Sequence, residues 1–221
     1  MKSRLEIKAL ARDALREQRG AGILILLIFL LIVIAGSLLD HIPFIGSLLV
    51  LATVIFIDYP LAVNVEGAFI KIFNREKTGA GEIFDNLSVN YLRKAGGMLW
   101  MTLWVTLWTL LLVIPGVIKS ISYSMTGYIL ADCPNVTATE ALKLSMRMTN
   151  GHKLELFIAG LSFIGWMLLS ALTLGILYIV YVGPYIHITF AGYYVGLRDK
   201  ALDSGVIERS ELAGESEATS M

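Results

Sequence analysis

Residues 22–64 read GILILLIFLLIVIAGSLLDHIPFIGSLLVLATVIFIDYPLAVN, and this stretch decides the fold. Gly22 to Leu39 carries no charge, and after the short connection Asp40-His41-Ile42-Pro43 the apolar run resumes from Phe44 to about Asn64. Each half approaches the roughly 20 residues an α-helix needs to cross a hydrocarbon core about 30 Å thick. Two such runs with so little between them predict an antiparallel membrane hairpin. Composition agrees, with 56% hydrophobic and 16% charged residues against about 45–50% and about 25% in soluble domains.

Working outward, the pattern recurs twice. Gly96 to Ile114 carries Trp100, Trp104 and Trp108 at four-residue spacing, and beyond Pro115-Gly116 the chain runs on from Val117 to Ala131. Leu154 to Leu172 and Ile176 to Leu197 are joined by the uncharged Thr173-Leu174-Gly175. The predicted fold is all-α, a polytopic membrane helix bundle of about six transmembrane helices arranged as three hairpins. The fourth span is the short one: about 16 residues rising 1.5 Å each cover about 24 Å. Residues 116–131 therefore either cross at a tilt or re-enter.

Basic residues near span ends stay cytoplasmic, and their distribution here is one-sided. Lys2, Arg4, Lys8, Arg12, Arg16 and Arg19 precede the first span; Lys71, Arg75, Lys77, Arg93 and Lys94 separate the first two hairpins. Lys143, Arg147 and Lys153 precede the third hairpin, and Arg198, Lys200 and Arg209 follow it. The hairpin tips contain none, so both termini are expected on the cytoplasmic side. Ala35-Gly36-Ser37 has the small residues of a signal cleavage site, but Glu6, Asp13 and Glu17 ahead of it and the full length of the run favour a retained span.

Each hairpin is introduced by an amphipathic stretch. Ser3/Glu6 and Thr137/Glu140 are spaced as capping boxes, in which a hydroxyl and a Glu three residues on satisfy orphan helix amides. Ile7, Leu10, Ala11 and Ala14 share one face; Ile83, Leu87 and Tyr91 a second; Ala138, Ala141, Leu142 and Ser145 a third. Such helices are expected along the cytoplasmic headgroups. The resulting units, 2–75, 80–133 and 137–200, form a single domain over 1–201. They repeat in the same direction, unlike the inverted repeats of many carriers. The first and third match best, Pro60 with Ala68-Phe69 and Pro184 with Gly192-Tyr193. Residues 202–221, rich in Asp203, Glu208, Glu211, Glu215 and Glu217, are expected to be a disordered acidic cytoplasmic tail.

The one cysteine, Cys133, excludes an internal disulfide or a multi-cysteine metal site. No H-E-x-x-H helix, G-x-S-x-G elbow or Walker loop is present, so no enzyme is expected and no cofactor is implied. Basic residues follow the membrane face and are diluted by acids, which argues against nucleic acid. Polar groups inside spans are costly and become candidates for function. Asp58 and Glu66 lie eight residues apart around Pro60, His187 follows Pro184, and Lys119 lies about a turn from Pro115. Asp58 and His187 are placed to pair across the bundle, whereas Lys119 is expected to snorkel to the outer interface. Ser120, Ser122, Ser124 and Thr126 are expected to pack helix on helix.

The motifs IPG-IKS-SYSM (Ile114 to Met125), ATEALKLSM (Ala138 to Met146), GHK-ELF (Gly151 to Phe157), LSFIGW (Leu161 to Trp166) and GPY (Gly183 to Tyr185) resemble a family of bacterial integral membrane proteins, domain of unknown function 975. IKALARDALR at Ile7 to Arg16 resembles the family's opening helix, and Cys133 stands where an Asn is expected. The resemblance implies the bacterial cytoplasmic membrane and no activity. The expected role is a non-catalytic scaffold, envelope or partner-binding protein, with the bilayer and a membrane-protein partner or a homo-oligomer as partners. The alternative is a channel or transporter for a small solute or proton using Asp58, Glu66 and His187.

Overall fold

The computed structural model describes residues 3–85, 87 and 90–214, and among these there is helix and no strand. The capping box at Ser3 opens α1 (Arg4–Glu17), with both reciprocal hydrogen bonds present. Gln18 leaves helical geometry at φ −123° and ψ 35°, and α2 (Arg19–Ser37) follows. A 3₁₀ turn, Leu38–His41, reverses the chain into α3 (Gly46–Thr53). A Cβ at Gly46 would come within 2.6 Å of the Asp40 carbonyl oxygen, so this tip closes only with glycine there. A π turn, Val54–Asp58, leads into α4 (Tyr59–Phe73).

The second hairpin is α5 (Tyr91–Leu111) and α6 (Val113–Tyr123), joined by the single extended residue Leu112. The chain continues through α7 (Thr126–Asp132) and α8 (Ala138–Thr149), which opens on the capping box at Thr137. Next come α9 (Lys153–Leu161) and α10 (Ile164–Leu172), then a π turn, Tyr178–Val182, that runs directly into α11 (Gly183–Asp203) and finally α12 (Arg209–Ala213). The two π turns each end just before a proline, Pro60 and Pro184. Proline lacks the N–H that would bond four residues back, and in the first case the freed Phe56 carbonyl accepts instead from the Tyr91 hydroxyl.

Three helical stretches are long and apolar enough to cross a membrane: Arg19–His41, Gly46–Phe73 and Lys153–Leu172. Protein buries only 17%, 22% and 22% of their most apolar windows, which leaves most of that surface for lipid or another chain. α5 has the length, at 21 residues, but its tryptophans, threonines and Lys94 reduce its apolarity. α6 and α7 are parted at Ser124-Met125, where Ser145 of α8 accepts from the Met125 amide at 3.2 Å and donates to the Ser122 carbonyl at 2.8 Å. The hydroxyls of Ser120, Ser122 and Ser124, expected to join helices, instead donate to the Val117, Ile118 and Ile121 carbonyls of their own helix.

α4 and α11 pack on each other, with α1 against both and α7 against α4. Phe69, Ile72, Tyr193 and Tyr194 are fully buried there. Three expectations are corrected. The apolar faces of α1 (Ile7, Ala11, Ala14) and α8 (Ala141, Leu144, Met148) turn into the protein core and not onto headgroups, because neighbouring helices offer them protein to cover. Before the second hairpin the helical element among the described residues is the 3₁₀ turn Ala80–Ile83 and not an amphipathic α-helix, and Asn64 Nδ2 donates to the Ile83 and Asp85 carbonyls at 2.8 and 3.3 Å. The stretch 202–214, expected to be disordered, is folded: Ile207 is 1% exposed, and Glu211 of α12 pairs with Arg147 of α8. Residues 215–221 lie outside the described residues.

Candidate functional site

The sequence candidates do not converge. Asp58 ends the first π turn and Glu66 sits eight residues on, about 12 Å along the helix at 1.5 Å per residue. Asp58 Oδ1 and Glu66 Oε2 are buried atoms without a hydrogen-bond partner among the described residues. The Glu66 carboxylate lies directly over Gly127 of α7, in the space a Cβ would need, so the α4–α7 crossing is built around a glycine facing an acid. Thr126 Oγ1, beside it in sequence, is buried and unpartnered as well.

His187 does not reach Asp58. Its ring stacks on Phe69 of α4 at 4.9 Å between centroids and 12° between planes, because the α4–α11 packing sets residue 187 opposite residue 69. Lys119 is not carried out along the hairpin tip either: its ammonium sits 5.4 Å from the Trp108 ring centroid, 5.7 Å from that of Tyr123 and 4.0 Å from Met146 Sδ of α8. The two ring contacts are of the cation–π kind. The principal cavities are lined by none of Asp58, Glu66, Lys119 and His187.

The polar groups that do converge are ones the sequence presents only as topology markers. Arg93 of α5 donates from Nη1 to the Cys133 and Val136 carbonyls at 3.0 and 2.5 Å and from Nη2 to the Leu130 carbonyl at 2.6 Å. It caps the C-terminus of α7, where carbonyls have no helical donor. Asp132 Oδ2 accepts from Arg198 Nη1 at 2.6 Å and from the Tyr194 hydroxyl at 2.7 Å, and Tyr194 stacks on Tyr128 at 5.7 Å. Asn64 Oδ1 accepts from Lys94 Nζ at 2.7 Å, and Lys71 pairs with Glu82 at 2.5 Å. Asn64, Lys71, Glu82, Lys94 and Asp132 border a cleft of about 340 Å³ at the basic end of the molecule. Burial, reinforced by the charge of Asp132, pushes the buried Cys133 thiol up to about 11, which keeps it in the protonated form near neutral pH. Among the described residues no three His, Cys, Asp or Glu side chains form a group that could hold a metal ion.

The arrangement defines an all-α protein with helices able to cross a membrane, whose polar contacts tie helix ends together. The chain belongs to the family described as Protein of unknown function (DUF975), whose model matches residues 82–201. The match takes in the motifs from Ile114 to Tyr185 and leaves the opening helix outside it. No curated protein and no solved structure matches the chain.

Proposed function

We propose that this chain is a multi-pass protein of the bacterial cytoplasmic membrane, with six spans in three hairpins and both termini cytoplasmic. In this reading it acts without catalysis, as a scaffold for a membrane-protein partner or for further copies of itself, and nucleic acid is not among its partners. The supporting observation is the division of burial. Packed side chains gather at the basic end, while the hairpin halves leave Leu31, Ile34, Leu48, Leu103, Leu107 and Leu168 exposed. Lipid tails are as apolar as leucine, so spans packed this sparsely gain little from each other and present their faces to the bilayer and its proteins. The test is photo-crosslinking from Leu107 and Leu168 in native membranes. A discrete adduct, to itself or to one partner, is expected; lipid adducts alone at every tip position would sink the scaffold reading.

One observation favours a second reading, a channel or transporter for a small solute or proton. The unpartnered oxygens of Asp58 and Glu66 are the kind of group that a proton or cation would satisfy. In proteoliposomes, Asp58→Asn and Glu66→Gln would abolish proton or cation flux under this reading and leave it unaltered under the first.

A further inference from the structure

We propose that Arg12, Arg16 and Arg19 form a binding site for the phosphodiester headgroup of an anionic phospholipid. Arg12 and Arg16 share one face of α1, and Arg19 opens α2 just beyond the break at Gln18. That face encloses a cavity of about 280 Å³, lined by the three arginines, Leu15 and Tyr181. Tyr181 belongs to the second π turn, so the cavity is closed by the chain that leads into α11, which packs on α1.

Charge points to the occupant. Arg75, Arg147 and Arg198 each pair with a carboxylate, Glu17, Glu211 and Asp132 respectively. Arg12, Arg16 and Arg19 form no such ion pair among the described residues, and Glu17, next to Arg16, is drawn away to Arg75. Arg12 meets the neutral Tyr185 hydroxyl, and Asp13 beside it in sequence does not line the cavity. Three arginines lining one space that no carboxylate lines match phosphate oxygens, which guanidinium groups bind in bidentate fashion.

Position points to lipid as the source. The cavity sits where α2 leaves the charged end and begins its uncharged run at Gly22. Tyr181 lies 5.7 Å, ring centroid to ring centroid, from both Trp166 and Tyr185, so an aromatic group flanks the cavity. The proposal rests on placing this end of the protein at the cytoplasmic face, where anionic lipid attracts basic segments.

The test titrates phosphatidylglycerol, phosphatidylcholine and inorganic phosphate against the full chain in neutral detergent, read by native mass spectrometry. Wild type is expected to retain phosphatidylglycerol over phosphatidylcholine. The variant R12Q/R16Q/R19Q should lose about a hundredfold in retention. The charge-conserving R12K/R16K/R19K should lose several-fold through the missing forks, with the basic character of the segment intact. K77Q/K143Q/K153Q, an equal change of charge elsewhere at the basic end, should retain the lipid. Equal retention of the two lipids, an equal loss in the control triple, or displacement by millimolar inorganic phosphate would each overturn the proposal, the last by making a soluble anion the occupant. Binding in micelles does not depend on how many times the chain crosses a bilayer. The six-span topology is read separately by cysteine accessibility, so either can fail alone.

Discussion

The basic end of the molecule and its hairpin tips obey different rules although they share the same helices. In α4 and α11 the side chains interlock, prolines are answered by π turns, and helix ends are closed by Arg93, Ser145 and Asp132. Towards the tips, α2, α3, α5 and α10 turn large aliphatic side chains outward, among them Leu31, Ile34, Leu48, Leu107 and Leu169. The difference teaches that one environment does not shape the whole chain: protein covers the apolar surface at one end, and at the other that surface is left exposed on helices apolar enough to cross a membrane.

One chemical change made in both regions tests this contrast most sharply. Gly127→Ala puts a Cβ into the Glu66 carboxylate at the packed end, and overpacking of this kind costs about 1–3 kcal/mol. Gly165→Ala in α10 meets nothing within 4 Å and should be neutral or gain up to about 1 kcal/mol from helix propensity. Thermal unfolding in detergent reads both, and equal effects would erase the distinction between the two regions. Arg93→Ala comes next. It strips donors from the Leu130, Cys133 and Val136 carbonyls, and charge-assisted hydrogen bonds contribute about 1.5–3 kcal/mol. Arg93→Lys should recover part of that loss. His187→Ala removes a stacked partner of Phe69 and is expected to cost about 1 kcal/mol. If His187→Ala instead left stability intact and stopped flux, the transport reading would displace the scaffold.

Much of this division was legible in the sequence. Uncharged runs located the stretches Arg19–His41, Gly46–Phe73 and Lys153–Leu172, and both capping boxes formed as their spacing required. Pro60 and Pro184 marked equivalent places in two helices, and each follows a π turn. What stayed hidden was long-range. Arg93 reads as one more basic residue until α7 ends beside it, and Asp132, Tyr194 and Arg198 meet across 66 residues of chain. Helical periodicity over Ile83, Leu87 and Tyr91 suggested a helix, whereas among the described residues Ile83 closes a 3₁₀ turn and its carbonyl accepts from Asn64 of another element. The acidic composition of 202–221 concealed Ile207 and Leu212, two apolar residues spaced to dock on a surface that only the folded core supplies.

That docked segment gives the smallest effect and the finest test of where the packed end stops. Glu211 accepts from Arg147 and is held below the usual carboxylate range first by that hydrogen bond, with the Glu208 amide adding to it. A carboxylate depressed in the folded state contributes stability above its unfolded value near 4.5, and the contribution is lost as pH falls through the lower folded value. The Arg147 side chain is 44% exposed, so solvent screens the pair and Glu211→Gln should cost no more than about 0.5–1 kcal/mol. The global melting temperature should therefore barely move. Hydrogen exchange at residues 207–213 should rise in Glu211→Gln at neutral pH, and in wild type on acidification through the lowered folded value. If exchange there is fast in wild type at neutral pH, α12 is not part of the packed end, and the core closes at α11.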